Sequence, residues 1–402
     1  MSAEWLHIIG IGEDGEAGLS RFSSALVQTA KLVVGGQRHL EMVGHLITGE
    51  RASWASPLDS TFPLILAYRG ENVVILASGD PFLYGVGSSL AAIVPGDEIR
   101  SYPAVSSYSL ACSRMLWTQH ETSLLSLCGR PLETLAPLLH PGHRIVALSA
   151  DDTTPGKLAV FLTARGYGLS RLHVMERLGS EAERRRTVRA VDYDLCDVAK
   201  LNLVGIEVVA GPDASIIPLT HGLHDDFFEH DGQMTKQEVR AVTLASLAPR
   251  AGELLWDIGC GSGSVAIEWL LRHPLNRAIG IERRADRARR AESNARELGA
   301  TRLQVMVGST NDVITDLPQP NAIFIGGGMD EKLVDLCWDA LLPQGRLVIN
   351  SVSMETDMLL GQAFKRLGGK LTRISIDRLD EIGNRHAFRP MMTVTHWRVA
   401  KP

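Results

Sequence analysis

The 402-residue sequence predicts an α/β protein of two domains, because the chain is too long for one typical core. Three observations carry this expectation. Apolar, β-branched runs recur along the chain, and several of them close on glycine-rich turns. Stretches with helical spacing separate the runs, the alternation of a mainly parallel sheet covered on both faces. The alternation lapses once, from Gly211 to Gly232, and then resumes. The expected division is a first domain over 1–210, a linker over 211–229 and a second domain over 230–402.

Residues 6–9 read as a buried strand feeding the loop Gly10-Ile11-Gly12-Glu13-Asp14-Gly15. Further strands are predicted over 73–77, 145–148 and 203–209, with helices over 85–93 and 157–165. Gly211-Pro212-Asp213, Pro218 and the His/Asp-rich stretch 221–231 read as an exposed connector. Thr235 then caps a helix over 236–247, with Glu238 placed three residues on as in a capping box. Strands over 253–258, 278–282, 303–307, 322–325 and 346–350 complete the second domain.

Composition narrows the function. A formal charge of −5 and 5% aromatic content oppose a general nucleic-acid binder. Hydrophobic residues at 45% and charged residues at 22% suit ordinary soluble cores. Cysteines 112, 128, 196, 260 and 337 show no C-x-x-C spacing, so reduced thiols in a cytoplasmic protein are expected. The start Met-Ser-Ala-Glu-Trp does not read as a signal peptide, and no run of apolar residues is long enough for a membrane span.

The chemistry lies in the strand-end turns. Trp256-Asp257-Ile258-Gly259-Cys260-Gly261-Ser262-Gly263 closes the first strand of the second domain, and Glu282 ends the next. A nucleoside cofactor lies across the carboxyl ends of parallel strands, where glycines let the backbone approach it. Glu282 is placed to accept hydrogen bonds from both ribose hydroxyls. A nicotinamide fold also ends its second strand in an acid, but spaces its glycines G-x-G-x-x-G. The shorter G-x-G-x-G here suits a cofactor without a pyrophosphate, S-adenosylmethionine (SAM). Gly308-Ser309-Thr310 falls near the adenine on this reading, or is a plain strand-end turn.

Gln233-Met234-Thr235-Lys236-Gln237-Glu238-Val239-Arg240, the glycine motif and Ala322-Ile323-Phe324-Ile325-Gly326-Gly327 resemble the small decarboxylating precorrin methyltransferases of cobalamin biosynthesis, over about residues 230 to 402. The resemblance implies a Rossmann-like class I SAM methyltransferase domain. Thr235, Gly259, Cys260, Gly261, Ser262, Gly263, Glu282 and Thr310 would contact SAM, Thr235 from a segment that covers it.

In the first half, Gly10-Ile11-Gly12, Ala77-Ser78-Gly79-Asp80-Pro81-Phe82-Leu83 and Pro103-Ala104-Val105-Ser106-Ser107 all follow predicted strands. They are expected to gather at one edge of the sheet. Together they resemble the tetrapyrrole methylase family over about residues 4 to 210, which implies a two-lobed class III methyltransferase domain. By that likeness Gly79, Asp80, Leu83, Ser106, Ser107 and Leu148 line a second SAM site, and Gly10 and Gly12 lie on the tetrapyrrole side. Where the family has proline-glycine-aspartate in its first loop, this chain has Glu13-Asp14-Gly15.

The combined halves resemble fused, bifunctional methyltransferases of the oxygen-dependent cobalamin pathway. The resemblance implies methylation of carbon 15 with loss of the ring C acetate carboxylate in the second domain, and methylation of carbon 5 in the first. It also implies two SAM sites, no metal and self-association, since related first domains form dimers and related second domains tetramers.

A tetrapyrrole carries many carboxylates, for which arginines are the natural readers. Arg240, Arg385 and Arg389 are candidates, and each reads equally as a surface arginine. Glu381 and His386 are candidate proton handlers. Arg184-Arg185-Arg186 reads as an exposed helix end balanced by Glu181 and Glu183. His221, His224 and His230 match no zinc spacing and read as solvated. Rival readings are an RNA methyltransferase, which the acidic charge opposes, and a SAM-responsive scaffold with one decayed domain.

Overall fold

The computed structural model describes residues 4–402; Met1, Ser2 and Ala3 lie outside the described residues. The chain forms two compact units. One runs to Arg130 and resumes over His140–Ser215; the other holds Pro131–Leu139 and Ile216–Pro402.

In the first unit, a five-stranded sheet has the order Glu50–Ser53, Leu32–Gly35, Val73–Ser78, Leu6–Ile11, Ile99–Tyr102, with parallel neighbours throughout. Leu6–Ile11 is buried along its whole length, which is why it reads as an unbroken apolar run. Its register sets Gly10 opposite Ala77 and Ile9 opposite Tyr102, so the turns after three neighbouring strands share one edge. Helix Ser107–Met115 starts at that edge, capped by the Ser106 hydroxyl, which accepts from Ser109 N at 3.1 Å. Ala111 and Cys112 of this helix enter the core of a second sheet with Val146, Met175 and Leu203.

That second sheet corrects the expectation of parallel strands. Its order is Thr122–Ser126, Arg144–Leu148, Asn202–Glu207, Arg171–Glu176, Arg184–Arg189, and only the first pair is parallel. The arginine cluster is likewise an edge strand and not a helix end. Arg184 and Arg186 close on the buried carboxylate of Glu176, at 2.7 and 3.1 Å. Short antiparallel strands carry the same β-branched signal as parallel ones, so composition alone did not separate the two lobes.

The second unit is built on a seven-stranded sheet ordered Leu303–Val307, Arg277–Glu282, Leu254–Ile258, Ala322–Ile325, Arg346–Ser351, Val394–Ala400, Lys370–Ile374. The first five are parallel, and Val394–Ala400 is antiparallel to both its neighbours. Trp256, Trp269 and Trp397 are among its largest fully buried side chains. An exposed hairpin, Asp377–Ile382 with Arg385–Pro390, leaves the sheet between its last two strands in the chain.

The stretch 221–231 is not a solvated connector. Gly222 and Leu223 donate their N–H groups to Glu268 at 2.7 and 3.0 Å, Glu229 N donates to Asn294 at 2.8 Å, and Leu223 and Phe228 are buried. Its histidines and aspartates disguise a strap whose backbone is paired with the fold. The following helix starts at Gln237 with Lys236 at its N-cap, and no side chain caps it. Thr235 is therefore not the cap, and Glu238 turns to Arg378 instead of closing a capping box.

Candidate functional site

In the second unit the carboxyl ends of the parallel strands open into a cavity of about 730 Å³. Thr235, Gly259, Cys260, Gly261, Ser262, Glu282 and Thr310 all line it. Gly263 does not; with φ of 76° it starts helix Ser264–Arg272. The turn packs closely on the end of the neighbouring strand Ala322–Ile325. A side chain at Gly259, whose φ is 70°, would set a Cβ 3.3 Å from the Gly327 carbonyl oxygen.

Glu282 is buried, and backbone donors aim its carboxylate: Oε2 accepts from Gly261 N and Oε1 from Arg284 N, both at 3.0 Å. Each oxygen keeps a lone pair for a ligand hydroxyl. Beneath the turn, Asp257 Oδ2 accepts from Ala266 N at 3.0 Å. Burial pushes its carboxyl up to about 7, with the Glu282 charge adding to the effect. Burial raises the Cys260 thiol as well, which disfavours its thiolate.

Arg240 is the clearest correction. It is fully buried and cannot read a substrate carboxylate. Its Nε donates to Glu268 at 2.6 Å and Nη1 to Asp225 at 3.1 Å and to the Thr235 carbonyl at 2.5 Å, while Nη2 donates to the Leu223 carbonyl. It clamps the segment that bears Met234 and Thr235 over the cavity. Arg385, Arg389, Glu381 and His386 sit on the exposed hairpin and do not line the cavity. Arg389 pairs with Asp380 at 2.9 Å, and His386 faces Glu381 at 3.9 Å across strands open to solvent. The hairpin springs from the rim, because Ile376 before it and Met391 and Met392 after it line the cavity.

The first unit brings its three turns together. Gly79 N donates to the Ile11 carbonyl at 3.0 Å, and Ala104 N donates to the Gly79 carbonyl at 3.2 Å. A Cβ at Gly10 would stand 1.9 Å from the Gly79 oxygen, so only glycine permits this approach. Asp80 Oδ1 accepts from Phe82 N at 2.9 Å, which shapes the turn leading to Leu83. Ser106 and Ser107 start the helix that enters the second lobe, where Leu148 packs on the same core.

Sequence reasoning missed Arg38 and His39 here. Glu13, from the departing loop, pairs with Arg38. His39 Nε2 lies 3.2 Å from Arg38 Nη2 and 3.1 Å from the Ser78 hydroxyl. Burial, with the Arg38 charge beside it, pushes His39 down to about 4. The signal was available, since these residues follow the apolar run Leu32–Gly35 and so belong to the same sheet edge.

Residues 5–192 match the family described as tetrapyrrole (corrin/porphyrin) methylases, and residues 226–401 match the precorrin methyltransferase domain. A Sinorhizobium protein, the precorrin-6Y C(5,15)-methyltransferase (decarboxylating), is 48% identical over 99% of this chain and 96% of its own. The chain belongs to this methyltransferase family. The Mycobacterium tuberculosis member (strain H37Rv) is 38% identical over 98% of this chain and 99% of its own. The solved C-terminal domain of precorrin-6Y C5,15-methyltransferase from Rhodobacter capsulatus is 42% identical, with TM-score 0.44, and covers 46% of this chain and 100% of that one. Members of the family are SAM-dependent C-methyltransferases.

Proposed function

We propose that the chain methylates precorrin-6B twice, at carbon 5 in domain 1–210 and at carbon 15 in domain 230–402. The second domain also releases carbon dioxide from the ring C acetate, and the product is precorrin-8 of cobalamin biosynthesis. The reaction runs in the cytoplasm, on a homo-oligomer, with two SAM sites per chain and no metal. The observation that carries this reading is the 48% identity to a relative of that name along 99% of the chain.

Bound SAM supplies an activated, electrophilic methyl group. In the second domain Glu282 and Thr310 would hold the nucleoside, the Gly259–Ser262 turn would bring backbone against it, and Thr235 would cover it. In the first, Gly79, Asp80, Leu83, Ser106, Ser107 and Leu148 hold the other molecule, with Gly10 and Gly12 toward the tetrapyrrole. Conjugation makes the meso carbons nucleophilic, so orientation and exclusion of water supply most of the acceleration. As carbon dioxide leaves, the macrocycle accepts the electron pair of the broken C–C bond. The former acetate carbon then takes up a proton from solvent to become a methyl group, and neither step requires a metal.

The test is incubation of the full chain with SAM and precorrin-6B, followed by mass spectrometry of the tetrapyrrole. Two added methyls with loss of carbon dioxide are expected. One methyl with that loss would leave the first domain without its assigned step. An unchanged tetrapyrrole beside bound SAM would sink the reading and restore RNA methylation as the leading one.

A further inference from the structure

The cavity of the second unit has two chemically distinct sides. Along the carboxyl edge, strands Leu303–Val307, Arg277–Glu282 and Leu254–Ile258 bring Thr310, Glu282 and the glycine turn. On the other side of the sheet's centre, strands Arg346–Ser351, Val394–Ala400 and Lys370–Ile374 bring Val352, Val394 and Ile376 to the same edge, with Met391 and Met392 beside them. Helix Gln237–Leu247 packs on Ala322–Ile325, Arg346–Ser351 and Val394–Ala400, and equally on helix Ser264–Arg272 that follows the glycine turn, so it touches elements of both sides. Lys236, at its N-cap, lines the cavity.

The Lys236 ammonium has no ion-pair partner among the described residues, and the surrounding acids are committed elsewhere. Glu238 accepts from Arg378 at 3.1 and 2.5 Å, Asp225 pairs with Arg240 at 3.1 Å, and Asp231 pairs with Arg287 at 2.8 Å. Of the acids lining the cavity, Glu282 and Asp257 accept the backbone N–H groups already described, and Asp330 accepts from Leu333 N at 2.7 Å. The Arg240 clamp fixes the backbone on either side, taking the Thr235 carbonyl and donating its own N–H to the Lys236 carbonyl at 2.7 Å. A cavity-lining cation that pairs with none of these acids is placed for a ligand's carboxylate.

We infer that Lys236 anchors a peripheral carboxylate of the tetrapyrrole while the macrocycle lies against Val352, Ile376, Met391 and Met392. This rests on the function proposed above. The methionine carboxylate of SAM is the competing ligand for this ammonium, and SAM affinity tells the two apart. The anchored group is a neighbour of the ring C acetate and not the acetate itself. An ammonium on the departing carboxylate would stabilise the ground state and slow the loss of carbon dioxide.

The test uses the full chain with Lys236→Met and Lys236→Arg, with circular dichroism to confirm folding. Tetrapyrrole binding is followed by absorbance, SAM binding by calorimetry, and decarboxylation by carbon dioxide release. For Lys236→Met the expected result is a roughly tenfold rise in tetrapyrrole Kd and KM. The kcat and SAM affinity stay within about twofold of the unsubstituted chain, and Lys236→Arg recovers most of the loss. Unchanged tetrapyrrole affinity overturns the inference. A matching fall in SAM affinity overturns it too, assigning the lysine to the cofactor. A collapse of kcat at constant KM does the same, placing the lysine on the reacting groups. If the unsubstituted chain binds SAM but no tetrapyrrole, the functional reading fails first and takes this inference with it.

Discussion

At the residue scale, Glu282 spends one lone pair of each oxygen on the backbone and keeps the others for a ligand. Glu282→Ala is expected to weaken SAM binding in the second domain roughly ten- to hundredfold, the range for hydrogen bonds to a charged group. Calorimetry on the full chain checks this, with the first domain's site unchanged. Arg240 and Glu268 are both fully buried, so Arg240→Met strands a carboxylate without its cation. The expected cost is about 3–5 kcal/mol, read from urea unfolding of the second domain. His396 is buried between Ser246 and Asn350, each at 2.8 Å, and burial with Arg398 nearby lowers it from 6.5 to about 4. The folded state therefore holds fewer protons than the unfolded state between pH 6.5 and 4, and stability falls as pH falls through that window. Its contribution to that acid loss is about 3 kcal/mol. His396→Gln is expected to flatten this limb in unfolding curves measured across the range; an unchanged slope would count against it.

At the scale of elements, the site proposed for the first domain depends on three turns fitting one another more closely than side chains allow. Gly10→Ala pushes a Cβ into the Gly79 carbonyl, and Ala104 N lies only 2.5 Å from the same point. The expected result is loss of SAM binding in the first domain with binding in the second retained, read from calorimetric stoichiometry. Elements also show where local reading fails. Arg184–Arg189 pairs with Arg171–Glu176 so that Glu176 sits opposite Arg184, and a run of arginines becomes an edge strand around one buried acid. Charged edge strands resist pairing with other chains, which suits a strand that local charge pattern alone assigns to solvent. Stretch 221–231 misleads in the same way, since Glu268 and Asn294, which hold its backbone, lie far along the chain.

For the whole molecule, two SAM sites that act independently are expected. The unsubstituted chain should bind two equivalents, and a chain carrying both Gly10→Ala and Glu282→Ala should bind neither tightly; one equivalent at saturation in the unsubstituted chain would refute the pair of sites. The α/β class, the strand-end glycine turns, Glu282 and the family resemblance were legible in the sequence. Each depends on local spacing: a buried strand is an apolar run, and a turn that meets a ligand needs glycine in place. What tertiary structure alone decided were the partners. It buried Arg240 against Glu268 and Asp225, left Lys236 facing the cavity, tied Glu13 to Arg38, and set Arg385 and Arg389 on a hairpin outside. Whether a charged side chain reads a substrate or braces the fold depends on which distant groups the fold brings within about 3 Å of it, and no local pattern encodes that distance.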